Sequence, residues 1–188
     1  MNINEAISGR RSVRDYTTQR VDEDSIHLLL DAAVHAPTAM HEEPWAFAVI
    51  QNKSLLNHLS DHVKELLADG GDPIHPHGAN HASNYFISPE FNAFYNALTL
   101  IIIYGKPMGV FVGADCWLAA QNLMLTAFSR GLGTCVIGLA VTALNTPKWK
   151  KELGIAADMT AFAPIIVGVP ASENPPTARR PPEILIWK

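Results

Sequence analysis

The chain of 188 residues predicts an α+β fold, a sheet sandwiched by helices. Three observations lead there. Short apolar runs of strand character recur: "WAFAVIQ", "LTLIIIYG" and "APIIVGVP". Longer stretches between them carry apolar residues at helical spacing. The two kinds do not alternate as a βαβ series, because Val21 to Leu67 offers one strand and two helices. The length fits one domain over residues 1–188 rather than two.

In chain order, "NINEAISGR" predicts a short helix with Gly9 near its end. "DEDSIHLLLDAAVHA" predicts a second helix. Asp22 is its N-cap, and Glu23 and Asp24 suit the positive end of the helix dipole. Ile26, Leu29, Leu30 and Ala33 fall on one face, and Pro37 ends the element. "WAFAVIQ" reads as a strand. "SLLNHLSDHVKELLAD" reads as a helix capped by Ser54 and stopped at Gly70-Gly71. Residues 70–96 are rich in Gly, Pro, Asn and His. So long a loop inside a compact domain is usually functional or disordered, and Tyr85, Phe86, Phe91, Phe94 and Tyr95 point to a lid. "LTLIIIYG" is apolar throughout, which predicts a strand buried on both faces.

"ADCWLAAQNLMLTAFSR", residues 114–130, is apolar nearly all round and predicts a central buried helix ended by Gly131 and Gly133. "TCVIGL" follows as an extended piece. "TPKWKKELG" is a small helix with Thr146 as cap, Pro147 at the first position and Gly154 as terminator. "APIIVGVP" is another buried strand. "EILIWK" is expected to close the chain as a strand, at the end of a Pro-rich C-terminal arm over residues 172–188.

Composition bounds the function. Hydrophobic residues make up 48% and charged residues 17%, which predicts an ordered globular fold. A net charge of −4 argues against nucleic-acid binding. The apolar run from Val110 to Phe128 is broken by Gly113 and Asp115, so it reads as a buried element and not a membrane span. The start of the chain is polar, without a signal-like apolar region. Cys116 and Cys135, the only cysteines, form no CxxC pair and are expected in the core; a reducing, cytoplasmic location follows. His75, His77 and His81 are read as a polar segment and not as a metal site.

Against this acidic background, "GRRSVRDY" concentrates Arg10, Arg11 and Arg14 around Ser12, and Arg179-Arg180 forms a second cluster far along the chain. A guanidinium is a planar fork of donors matched to phosphate oxygens, so folding could bring both clusters to one phosphate. The alternative is that these arginines pair on the surface with Glu5, Asp15 and Glu23. No GxGxxG, GxxxxGK[ST] or HExxH motif is present, which removes the Rossmann, P-loop and zincin readings.

Four segments in order, "RRSVRDY" (10–16), "APTAMHEEPWAFAVI" (36–50), "DCWLAAQNLMLTAFSRGLGTCVIG" (115–138) and "PIIVGVPA…RRPPE" (164–183), resemble the nitroreductase-like flavoproteins. The resemblance implies an α+β sandwich with a central antiparallel-type sheet flanked by helices. It implies an intertwined homodimer with FMN at the subunit interface and NADH or NADPH as reductant. It implies that Arg10, Ser12 and Arg14 grip the FMN phosphate and ribityl chain, with Arg11 inside the motif. Arg179 would complete the phosphate site beside Arg180. Pro37, Thr38, Ala39 and Met40 would reach the flavin from the partner subunit, and the backbone N–H groups of Ile137 and Gly138 would face the ring. His41 and Glu43 stand where the family often carries Asn and Gln, and Thr177 where some members carry a basic residue. The implied reaction is reduction of nitroaromatics, quinones or similar electron-poor rings in ping-pong order, with no side chain assigned as acid or base. Other flavin chemistry on the same fold, or a flavin-binding carrier or sensor without turnover, are the alternatives.

Overall fold

Four strands form one antiparallel sheet in the order β1-β2-β4-β3. They are β1 (Trp45–Ile50), β2 (Thr99–Gly105), β3 (Gly133–Val136) and β4 (Thr160–Gly168). The helices are α1 (Ile3–Gly9), α2 (Glu23–Val34), α3 (Lys53–Ala68), α4 (Val112–Ser129), α5 (Ala140–Leu144) and α6 (Pro147–Glu152). This computed structural model describes residues 1–69, 85–86 and 88–188. His75, His77 and His81, read above as a polar segment, lie outside the described residues, as do Gly70 and Gly71.

Every residue of β2 is buried, as its unbroken apolar run predicts, because helices cover both faces. Side chains alternate across a strand. Ile101 and Ile103 join β4 residues Ala163, Ile165 and Val167 in a core shared with α2 and α4. Leu100, Ile102 and Tyr104 join a second core with α3, α5 and α6, in which Trp149 is the largest fully buried side chain. The α+β sandwich expected from the sequence is thus the one observed. Phe91 and Phe94 are packed in the second core, so this part of the expected lid is anchored beneath the surface.

Local details correct several expectations. Helix α3 is capped by Asn52, whose Oδ1 accepts the Leu55 N–H at 3.0 Å. Ser54 lies inside the first turn, where its φ/ψ are already helical, so it cannot cap. Gly131 (φ +77°) follows the Arg130 cap of α4, whereas Gly133 opens β3. Helix α4 is not buried all round: Cys116, Ala119, Ala120, Leu123 and Ala127 are buried, but Trp117 and Leu118 are each 45% exposed. A helix lying on one sheet has only one face to cover. The closing "EILIWK" forms no strand among the described residues and is exposed; a strand needs a ladder partner, and this chain offers the segment none. Helix α5 and a 3₁₀ turn at Ala39–His41 were not foreseen. Asp22, Thr146 and Pro147 take their expected capping places. No described helix is long and apolar enough to cross a membrane.

Candidate functional site

Residues 10–17 run as an extended strip along the free edge of β3. Ser12 bridges Thr134 and Tyr16 bridges Pro170. Val13 N–H donates to the Thr134 carbonyl at 3.0 Å, Thr17 N–H to Val169 at 2.9 Å, and Ala171 N–H to Asp15 at 3.0 Å. Period-two alternation turns Arg10, Ser12 and Arg14 to one side and Val13 to the other. Two glycines let the strip lie this close. A Cβ on Gly133 would stand 2.7 Å from Val13 Cγ2, and one on Gly168 would stand 2.6 Å from Tyr16 Cδ1. The Tyr16 hydroxyl donates to the Val13 carbonyl at 2.7 Å, and burial pushes its pKa above the usual phenol value.

Arg10, Arg11, Ser12 and Arg14 line a cavity of about 340 Å³ together with Arg179, Thr177 and Asn174. Two basic clusters at opposite ends of the chain therefore meet, while Arg180 does not line the cavity. A neighbouring cavity of about 420 Å³ shares Arg10 and Arg11 and opens over Phe128, Leu132 and Pro170. Among the described residues, no carboxylate lies within 4.0 Å of any of these guanidinium groups, so the surface pairs with Glu5, Asp15 and Glu23 are not formed. Several cations converging without a counter-ion repel one another, and a phosphate relieves that repulsion with charge-assisted bonds.

The arginines are not equivalent. Arg11 donates to the carbonyls of Ser8 (2.7 Å), Arg10 (2.8 Å) and Pro175 (3.3 Å). It ties the strip to the C-terminal arm through Nε and Nη1, which leaves the two N–H donors of Nη2 for a ligand. Arg14 lies 5.8 Å from the ring centre of Tyr95, a cation–π distance. Burial raises the Cys135 thiol pKa against the lowering pull of Arg14, Ser12 and Arg10, which marks a core thiol and not a nucleophile.

At the end of β3, Ile137 N–H donates to the Pro164 carbonyl at 2.8 Å. It is therefore not available to a ring, contrary to the expectation for Ile137. Gly138 N–H has no acceptor among the described residues, so only one of the two expected backbone donors is free.

Pro37, Thr38, Ala39 and Met40 line neither cavity within the single chain. They belong to a turn between α2 and β1 in which Met40 (φ 52°), His41 (φ 57°) and Glu43 (φ 46°) all occupy the left-handed region, at a cost of roughly 1–2 kcal/mol each. Met40 is 86% exposed. Ala39 N–H donates to the carboxylate of Asp115 at 3.2 Å. Asp115 was not connected with this turn from the sequence; its only signal there is a carboxylate inside an apolar helical run.

With this geometry in view, the comparisons with known proteins converge. The Nitroreductase family model matches residues 7–169. A protein of Methanothermobacter thermautotrophicus, named "Putative NADH dehydrogenase/NAD(P)H nitroreductase", is 31% identical over 182 residues, covering 94% of this chain and 81% of that protein. A nitroreductase with bound FMN from Bacteroides fragilis, 26% identical, superposes with a TM-score of 0.84 over 100% of this chain and 98% of that one. An iodotyrosine deiodinase of Drosophila melanogaster is 25% identical over 184 residues, covering 88% of this chain and 61% of that protein. The fold thus defines an α+β sandwich with a basic cavity at one sheet edge. The chain belongs to the nitroreductase family.

Proposed function

We propose that this chain is an FMN-dependent oxidoreductase that takes electrons from NADH or NADPH. Its acceptors are nitroaromatics, quinones or similar electron-poor compounds, served in ping-pong order. The observation that carries the reading is the meeting of Arg10, Ser12 and Arg14 with Arg179 around one cavity that lacks any carboxylate partner. That donor set fits a phosphate monoester: three forks and a hydroxyl, each charge-assisted bond worth roughly 1.5–3 kcal/mol.

When bound, FMN supplies the redox chemistry, receiving hydride from the nicotinamide and passing electrons to the acceptor. The chain's own work is binding and orientation. Arg10, Arg14 and Arg179 hold the phosphate, and Ser12 donates its hydroxyl. Arg11 keeps the C-terminal arm in place so that Arg179 can reach. Gly138 N–H is left to donate to the ring, where an N–H aimed at developing negative charge acts like an oxyanion hole. Pro37, Thr38, Ala39 and Met40 complete the site of a second copy in a homodimer. Trp117, Leu118, Val110 and Phe111 are exposed in the single chain, as are Ile184, Leu185, Ile186 and Trp187. So much exposed apolar surface supports association. These features support a homodimer, and the two free thiols suit a reducing, cytoplasmic location.

The test compares FMN with riboflavin, which lacks the phosphate. The purified protein should prefer FMN by roughly a hundredfold or more, and Arg10→Ala with Arg14→Ala should abolish that preference. Equal affinity for the two flavins in the unsubstituted protein would refute the phosphate role. NADH or NADPH should then bleach the bound flavin without oxygen, and a nitroaromatic or quinone should restore its colour. The similarity to iodotyrosine deiodinases favours one second reading, reductive dehalogenation. Recolouring by 3-iodotyrosine but not by nitroaromatics would select it.

A further inference from the structure

We infer that Asp115 is a positioning residue: its buried carboxylate clasps the strained turn of residues 38–43 through the Ala39 N–H and so fixes how that turn is presented to FMN. This rests on the reading above that Pro37 to Met40 serve the flavin site of a second copy.

Asp115 is 3% exposed and is the one buried acidic side chain among the described residues. No Lys, Arg or His of the described residues lies within 4.0 Å of it. Among the described residues its two oxygens receive a single donor, Ala39 N–H, at 3.2 and 3.4 Å. A carboxylate buried with so few partners weakens a fold relative to an apolar residue of the same size. Its place in the first turn of α4 makes the burial tolerable, since that end of a helix carries partial positive charge. Stability therefore does not account for it.

The turn it holds does. Met40, His41 and Glu43 sit in left-handed conformations that side chains normally avoid, and such a shape lasts only where the surroundings enforce it. The enforcement comes from one stretch of chain. Asp115 clasps the front of the turn. Lys106 N–H donates to the Pro44 carbonyl at its rear, at 2.8 Å. Between them the Glu42 carboxylate lies over Gly109, with Oε2 3.5 Å from where a Cβ would stand. With the front clasp opened, the turn's own bond from Glu42 N–H to the Ala39 carbonyl, at 3.1 Å, is what remains among the described residues to hold Met40 and His41 left-handed, and it leaves the whole turn free to shift with Met40, which is 86% exposed.

Asp115→Leu removes the acceptor and keeps the branching at Cγ with somewhat bulkier ends, whereas Asp115→Asn keeps an acceptor oxygen in place. Two readouts separate the claims. Amide hydrogen exchange over residues 38–44 needs no flavin, and quenching of FMN fluorescence reports affinity. In D115L we expect exchange at 38–44 to quicken about tenfold or more and FMN affinity to fall about tenfold or more, with far-ultraviolet circular dichroism unchanged. In D115N both stay within about threefold of the parent, because the hydrogen bond survives. Unaltered exchange in D115L overturns the clasp. So does a D115N variant that behaves like D115L. Faster exchange with unchanged FMN affinity overturns the link to the flavin. An unsubstituted protein that binds no FMN defeats the proposed function itself, and the exchange comparison still decides the clasp. If D115L does not fold, Ala39→Pro deletes the same bond from the donor side, after a Thr38 that is already extended (φ −129°, ψ 149°). It should weaken FMN binding equally, and parental affinity in that variant overturns the inference.

Discussion

Replacing Gly133 by alanine puts a methyl group where the strip at residues 10–17 already lies. The added Cβ would stand 2.7 Å from Cγ2, 2.8 Å from Cβ and 2.9 Å from Cγ1 of Val13. These atoms belong to a stiff β-branched side chain, and Val13 is only 6% exposed. Its backbone is also pinned, by the bond from Val13 N–H to Thr134. Relief must therefore come from displacement of the strip. Overpacking of this kind costs about 1–3 kcal/mol, which lowers the melting temperature of a chain this long by roughly 2–12 °C. Because Val13 stands between Ser12 and Arg14, the same displacement should weaken FMN binding. The assay is thermal unfolding followed by circular dichroism, with a flavin titration alongside. Val13→Gly destabilises by itself but removes Cβ, Cγ1 and Cγ2 together and so makes room for the new methyl. The double variant should therefore be more stable than the sum of the singles by about 1 kcal/mol or more. A G133A protein that melts with the parent, or strict additivity in the double variant, would refute the reasoning.

His62 Nδ1 accepts the indole N–H of buried Trp149 at 2.8 Å, and burial, reinforced by Lys148, holds its pKa below the usual imidazole value. The folded chain thus keeps His62 neutral where the unfolded chain takes up a proton. Its contribution is complete above the unfolded pKa of about 6.5 and is lost as pH falls from there through the folded value. The melting temperature should drop more steeply on acidification in the parent than in His62→Gln, whose side-chain oxygen accepts the same indole; parallel pH profiles would contradict this. Burial pushes the Cys116 thiol up to about 11 and raises Cys135 too. Neither should react with a thiol reagent at mildly alkaline pH until urea unfolds the chain, and rapid labelling of the native protein would remove both from the core.

Helices and long strands were legible because their signals are local. Asp22 and Thr146 announce helix starts, and the seven-residue apolar run of β2 has one buried solution in a sheet covered on both sides. Asn52 and Ser54 are equally good cap types two positions apart, and only the path of the first turn chose between them. "EILIWK" has strand composition, yet pairing is a property of neighbours that the segment lacks in this chain. At the site, the spacing of Arg10, Ser12 and Arg14 already held their shared face, because alternate residues of an extended strip point one way. Arg11 and Ile137 carry hydrogen bonds that the sequence does not announce. Their hydrogen-bond partners, Pro175 and Pro164, are brought to them by tertiary structure and leave no mark nearby in the sequence.

Arg11 reaches Pro175 across 164 positions, and Arg179 closes the same cavity. Contacts that span so much chain form late, because loop closure must come first. The pocket is therefore incomplete until the arm docks, and tight seating of a phosphate is expected to wait on that step. A fragment ending before the arm would build its sheet and still emerge colourless.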